Sequence, residues 1–105
     1  MRITGGAWRG RQLQPIRGFM GRPTTDFGRE GLFNLLSTRL DLEGADVLDL
    51  FAGTGMIGIG CASRGAESIT LVEKQNRSCK QIKDHFKLLG YERAVVVTGD
   101  CFSYL

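Results

Sequence analysis

The chain has 105 residues, enough for one small domain. Its 42% apolar content is ordinary for a soluble globular protein, and no run approaches the roughly 18 apolar residues of a membrane-spanning helix. No secretory leader pattern follows Met1, so the expected compartment is the cytoplasm and no membrane is expected as a partner. The formal charge of +3 is unevenly spread. Residues 1–22 hold five arginines (Arg2, Arg9, Arg11, Arg17 and Arg22) and no acid, whereas residues 23–105 hold nine basic and eleven acidic residues. A basic arm on a slightly acidic body points to a polyanion, most often nucleic acid. Cys61, Cys79 and Cys101 are odd in number and lack metal-ligand spacing, so they are expected as free thiols packed like small apolar groups.

The elements follow in chain order. Residues 1–22, rich in glycine and without helical period, read as a small hairpin or irregular arm. Trp8 there either packs the arm on the body or stacks on a base. Arg22-Pro23-Thr24-Thr25-Asp26 reads as a helix start, with Thr25 or Asp26 as cap. Leu32, Phe33, Leu36 and Leu40 then predict an amphipathic helix over about 26–39. From residue 46 strands and helices alternate. Residues 47–50 read as a short buried strand, 55–64 as a helix stopped by Gly65, and 69–72 as a second strand. Cys79, Ile82, Phe86 and Leu89 form the apolar stripe of a helix over roughly 75–89, with Lys80, Lys83, Asp84 and Lys87 on its solvated side. His85 falls among those charged residues and is expected in solvent. Residues 94–97 make a third, β-branched strand. The order implies an α/β fold: a Rossmann-like parallel sheet with right-handed crossovers.

The chemistry sits where strand gives way to glycine turn and helix, at Asp49-Leu50-Phe51-Ala52-Gly53-Thr54-Gly55. Glycines admit a ligand close to the backbone, and a helix N-terminus offers amides. Gly53-x-Gly55-x-x-Gly58, with Glu73 twenty residues after Gly53, also meets the dinucleotide fingerprint, so an NAD(P)-dependent oxidoreductase stays open. Asp49 tilts the balance. A carboxylate at the rim of that turn repels a pyrophosphate but attracts the ammonium and sulfonium of S-adenosylmethionine. Glu73, followed by Lys74, suits the ribose hydroxyls of either cofactor. Asp100 is placed to accept from the exocyclic amine of adenine. Three acids after three successive parallel strands stand where open α/β sheets bind ligands.

The segments Arg22-Pro23-Thr24-Thr25-Asp26, Glu30-Gly31-Leu32-Phe33-Asn34 and Asp49-Leu50-Phe51-Ala52-Gly53-Thr54-Gly55 resemble the RsmD family, as does the start from Met1-Arg2-Ile3 through Arg9-Gly10-Arg11. The resemblance covers the whole chain. It implies a Rossmann-like S-adenosylmethionine-dependent methyltransferase fold, with methyl transfer to the exocyclic amine of a guanine in small-subunit ribosomal RNA, free or in a ribosomal particle. It implies a basic RNA-binding arm at 1–22 and the first half of a donor-binding domain at 23–105. By the same resemblance Thr24 and Thr25 lie near the methionine part of the donor. Asp49 and the backbone of Phe51, Ala52, Gly53, Thr54 and Gly55 line its amino-acid and ribose side. Glu73 with Lys74 holds the ribose, Asp100 and the Cys101 amide read adenine, and the five arginines meet RNA phosphates. Phe27 stands where the family usually has a basic residue.

Methyltransferases of that type carry an Asp/Asn-Pro-Pro-aromatic motif after the fourth strand, which aims the target amine and stacks its base. Pro15 and Pro23 are the two prolines here, and neither fits. The expectation is therefore the cofactor-binding front half of a longer enzyme, holding no catalytic residue and inactive alone. The strand at 47–50 becomes an open sheet edge, and the chain is expected to self-associate through it. A non-catalytic RNA-binding module is the remaining alternative.

Overall fold

The structure is a computed structural model describing residues 1–15, 18 and 26–104, with the backbone alone at 26, 27 and 37. Its elements in order are α1 (Asp26–Ser37), β1 (Asp46–Asp49), α2 (Met56–Ser63), β2 (Ser68–Glu73), α3 (Asn76–Leu89), β3 (Ala94–Thr98) and α4 (Cys101–Tyr104). The three strands form one parallel sheet in the order β1-β2-β3. Val47 pairs with Ile69 and Ile69 with Ala94; one residue on, Leu48 pairs with Thr70 and Thr70 with Val95. The expected α/β architecture is thus present. The helix start at 22–25 and its threonine cap lie outside the described residues.

The two faces of the sheet differ. Because side chains alternate along a strand, Ile69 and Leu71 share one face, and both are fully buried. α2 lies on it so closely that a Cβ at Gly58 would meet Leu71. α3 covers the same face, with Phe86 bordering a shallow groove shared with Ala94 and Val96. Seven of the eight residues of α2 are buried, as expected of a helix apolar all round. Its outer side meets Phe33 of α1 at Gly60. On the opposite face Leu48 is 49% and Val95 57% exposed. β1 is thus an edge strand, as expected of the strand at 47–50, but its expected burial is corrected: one face is open and Leu48 lies exposed on it. α4 packs on β2, where Val72 is buried.

Residues 1–13 form a hairpin closed by an antiparallel bridge between Arg2 and Gln12, with Ile3 N–H donating to the Arg11 carbonyl at 3.0 Å. The hairpin is built into the body. Ile3 and Leu13 belong to the main core. The amides of Ala7 and Trp8 donate to Ser63 at the end of α2, at 2.7 Å to its carbonyl and 3.0 Å to its hydroxyl. The Ser63 hydroxyl donates to the Gly5 carbonyl at 2.6 Å. Trp8 meets Tyr91 edge to face at 5.9 Å, so it packs the hairpin down.

Two further expectations change. The stripe of α3 is buried as expected, but so is His85, at 7% exposure. The backbone of Gln14, on the hairpin's return limb, hydrogen-bonds it, widening the covered face of α3 beyond the apolar stripe. α1 ends at Ser37, which leaves Leu40 beyond it and 58% exposed. All three cysteines are buried and free, and burial pushes the Cys61 thiol up to about 11.

Candidate donor-binding site

β1 ends at Asp49, and the chain must turn back over the sheet to start α2. Asp49 makes the first bend itself: its Oδ1 accepts the Phe51 N–H at 3.1 Å. The Ala52 N–H donates to the Val72 carbonyl of β2 at 3.0 Å, and the Gly55 N–H to the Ala52 carbonyl at 2.8 Å. Gly53 and Gly55 take φ of +58° and +81°, a region that other residues enter at a cost of about 1–2 kcal/mol. At Gly55 a Cβ would also stand 2.9 Å from Ile82 of α3. The glycines thus serve both the reversal and the packing of α3 against it.

Glu73, at the end of β2 and 8% exposed, closes the turn from the other side. Its Oε1 accepts the Gly53 N–H at 3.2 Å and its Oε2 the Gln75 N–H at 2.8 Å. Ser78 of α3, fully buried, donates to the Gly53 carbonyl at 2.5 Å. Ser78 is a positioning residue that sequence reasoning missed, since a serine inside a helix carries no signal of a contact 25 positions away.

Two carboxylates therefore flank one turn. Burial, more than the partly offsetting Phe51 amide, raises the Asp49 pKa from its ordinary value, and the charge of Glu73 adds to the rise. A site that penalises its own negative charge gains most from a cationic ligand. The amides of Phe51, Ala52, Gly53 and Gly55 are all spent inward, so those amides are not free for phosphate oxygens.

The remaining expected positions fall as follows. Phe51 is 75% exposed beside the turn and Ala52 is buried beneath it. Thr54 is half-buried and Lys74 is exposed. Asp100 follows β3, exposed, and accepts the Phe102 N–H at 2.8 Å; Cys101 beside it is buried. The Gly99 N–H donates to the Glu73 carbonyl at 3.0 Å, which brings the ends of β2 and β3 together. Thr24, Thr25, Arg17 and Arg22 lie outside the described residues, and nothing is described of the Phe27 side chain. Arg2, Arg9 and Arg11 are exposed on the hairpin, away from the glycine turn.

The family described as conserved hypothetical protein 95 matches residues 1–104. Ribosomal RNA small subunit methyltransferase D of Escherichia coli strain K12 is 41% identical over 106 residues, covering 100% of this chain and 52% of the relative. A solved Escherichia coli protein, yhhF, provisionally described as a methyltransferase, aligns with a TM-score of 0.85 at 36% identity over 99% of this chain and 55% of its own. The SMU.776 structure, provisionally described as a methyltransferase and complexed with SAH, aligns with a TM-score of 0.58 at 28% identity over 72% of this chain and 19% of its own. The chain spans about half the length of the curated relatives it matches. The shared architecture is the Rossmann-like fold of these methyltransferases.

Proposed function

This chain belongs to the conserved hypothetical protein 95 family, the RsmD family, and from that premise we propose that it is the donor-binding half of an S-adenosylmethionine-dependent ribosomal RNA methyltransferase. The observation that carries the reading is the placing of Asp49 and Glu73 on either side of a turn whose Phe51, Ala52, Gly53 and Gly55 amides are already bonded within the protein. Such a turn disfavours diphosphate and favours an ammonium and a sulfonium. That argues against the nicotinamide oxidoreductase, although the glycine spacing suits both.

The donor supplies a methyl group on a positively charged sulfur. Asp49 would hold its cationic end. Each oxygen of Glu73 keeps a lone pair after accepting one backbone N–H, enough to receive the two ribose hydroxyls. Asp100 and the Cys101 amide would take the adenine edge, and the family resemblance assigns Thr24 and Thr25 to the methionine moiety. In the whole enzyme the bound donor would supply its methyl group to the exocyclic nitrogen of a guanine, leaving the sulfur as a neutral thioether, and that nitrogen would lose a proton. Orienting the amine belongs to an Asp/Asn-Pro-Pro-aromatic motif, which this chain does not contain.

Residues 1–22 act as the RNA arm, with Arg2, Arg9, Arg11, Arg17 and Arg22 on phosphates, and 23–105 as the donor half-domain. The substrate is ribosomal RNA or a small-subunit particle in the cytoplasm. No helix among the described residues is long and apolar enough to cross a membrane. Self-association of this chain runs through the open edge of β1. Isothermal calorimetry tests the central claim: S-adenosylhomocysteine gives a saturable heat and NAD gives none. The reverse result overturns it. Salt-independent RNA affinity overturns the role of the arm.

A further inference from the structure

A concave site lies on the hairpin, apart from the glycine turn. A cavity of about 160 Å³ is lined by Arg2, Ile3, Thr4, Arg9, Gly10 and Glu30. Ile3, buried in the core, anchors it. Arg2 and Thr4 flank Ile3 in the same extended limb and so point the other way from it. The Gly10 N–H donates to the Ile3 carbonyl at 2.8 Å, which fixes Arg9 opposite. Arg29 of α1 donates from Nη2 to the Arg2 carbonyl at 2.9 Å, and this clamp sets Glu30, the next residue, at the rim. Among the described residues, Arg2, Arg9 and Glu30 form no ion pair with one another. Arg64, its guanidinium 3.8 Å from the centre of the Phe33 ring, is a further cation within the field of Glu30.

We propose that this cavity is a subsite for one guanine nucleotide of single-stranded RNA, its phosphate held by Arg2 and Arg9 and its base read by Glu30. The argument is one of matching charge and donors. A plain phosphate site has no use for a carboxylate lining the same cavity as its arginines. A carboxylate offers two acceptor oxygens side by side. The Watson–Crick edge of guanine presents two adjacent donors, the ring N–H and the exocyclic amine, whereas the other bases present one beside an acceptor. Unpaired bases are read along such edges in single-stranded RNA.

This guanine is not the one that receives the methyl group. The hairpin turn is bonded to Ser63, at the opposite end of α2 from Gly55. The eight residues of α2 separate the two by about 12 Å at 1.5 Å per residue. The subsite fixes RNA register and rests on the RNA reading above.

Fluorescence anisotropy with the 105-residue chain tests it, using a uridine oligonucleotide carrying one guanine, the same oligonucleotide with inosine (which lacks the exocyclic amine), and free GMP. Guanine should be preferred to inosine about tenfold. Glu30→Gln should abolish the preference. Arg2→Ala and Arg9→Ala should weaken all oligonucleotides alike and each lower the salt slope by about 1. Equal affinity for guanine and inosine, or a preference that survives in E30Q, overturns the subsite. Salt-dependent binding without base preference does so while leaving the RNA reading intact. Loss of all salt-dependent binding removes both. GMP binding as tightly as the oligonucleotide would assign the cavity to a free nucleotide and overturn the RNA assignment.

Discussion

The carboxylate of Glu73 accepts the backbone N–H of Gly53 at 3.2 Å, twenty positions back along the chain. This contact joins the end of β2 to the turn after β1, and its second oxygen starts α3 through the Gln75 N–H. One side chain thus shapes the turn and presents the lone pairs proposed to meet a ribose. Glu73→Gln has only one acceptor oxygen for two backbone donors, and leaves one of them unsatisfied. The variant should lose about 1–3 kcal/mol of stability in urea titration and bind S-adenosylhomocysteine more weakly. Unchanged stability would show that the turn does not depend on the carboxylate.

Asp49 should behave in the opposite way toward stability. Burial and the neighbouring charge of Glu73 raise its pKa in the fold, so the native state resists its ionisation. The resulting stability is full below the ordinary aspartate range and is lost as pH rises through the raised value. Asp49→Asn keeps an oxygen for the Phe51 N–H and removes the charge. It should be more stable than the natural chain at pH 7 and equal to it near pH 3, by thermal melting. Its affinity for S-adenosylhomocysteine should fall about tenfold with loss of a charged partner. A variant that gains stability while losing ligand is the mark of a charge kept for binding.

Gly55 answers to geometry alone. Gly55→Ala must hold φ near +81° and place a Cβ 2.9 Å from Ile82. The conformational cost is about 1–2 kcal/mol before any displacement of α3. We expect that loss in denaturant titration, together with loss of S-adenosylhomocysteine binding. The nearest contacts are to Ile82 Cγ1 and Cγ2, so in a double-mutant cycle Gly55→Ala should cost less in an Ile82→Ala background than in the natural chain if the contact with Ile82 contributes.

How much of this was legible depends on the range of the interaction. The β-branched run at 94–97 and the stripe Cys79, Ile82, Phe86 and Leu89 carry their own periods, so β3 and α3 stand within a residue or two of expectation. The glycine turn was legible because positive φ is a local demand. Its closure was not: nothing near Ser78 says that its hydroxyl reaches the Gly53 carbonyl. His85 looked solvated because its sequence neighbours are charged, and a hairpin limb from the other end of the chain covers it. Leu48 looked buried because it is apolar, but exposure follows from edge position and an uncovered face. The four-residue α4 is too short to show a period. Of the two carboxylates, sequence placed both at strand ends, while their sharing of one turn needed the fold.

His85 supplies a pH test. Burial lowers its pKa from 6.5, with Asp84 and the Gln14 backbone opposing the shift and the N-terminal ammonium reinforcing it. Its Nδ1 has no partner among the described residues. A folded-state pKa below the unfolded one gives stability that is complete above 6.5 and is lost as pH falls through the lowered value. The melting temperature should therefore drop between pH 7 and pH 5. His85→Gln, which cannot titrate, should flatten that part of the profile. An equal drop in both proteins would assign it to other groups.

The open side of the sheet makes the last prediction. β1 has no strand partner on its outer edge among the described residues, and Leu48 and Val95 lie exposed on the face that α2 and α3 leave bare. An apolar edge beside an apolar face favours pairing with another chain. Light scattering of the 105-residue chain should show a mass that rises with concentration. Leu48→Lys and Val95→Lys place charges on that face at little cost to a monomer, since both side chains are already about half in solvent. They should shift the mass toward that of one chain, with the melting temperature of the dilute protein unchanged. If the natural chain stays monomeric at high concentration, the edge is protected by other means. If the lysine variants associate as before, the contact runs through another surface, with exposed Leu32 and Leu35 of α1 next in order.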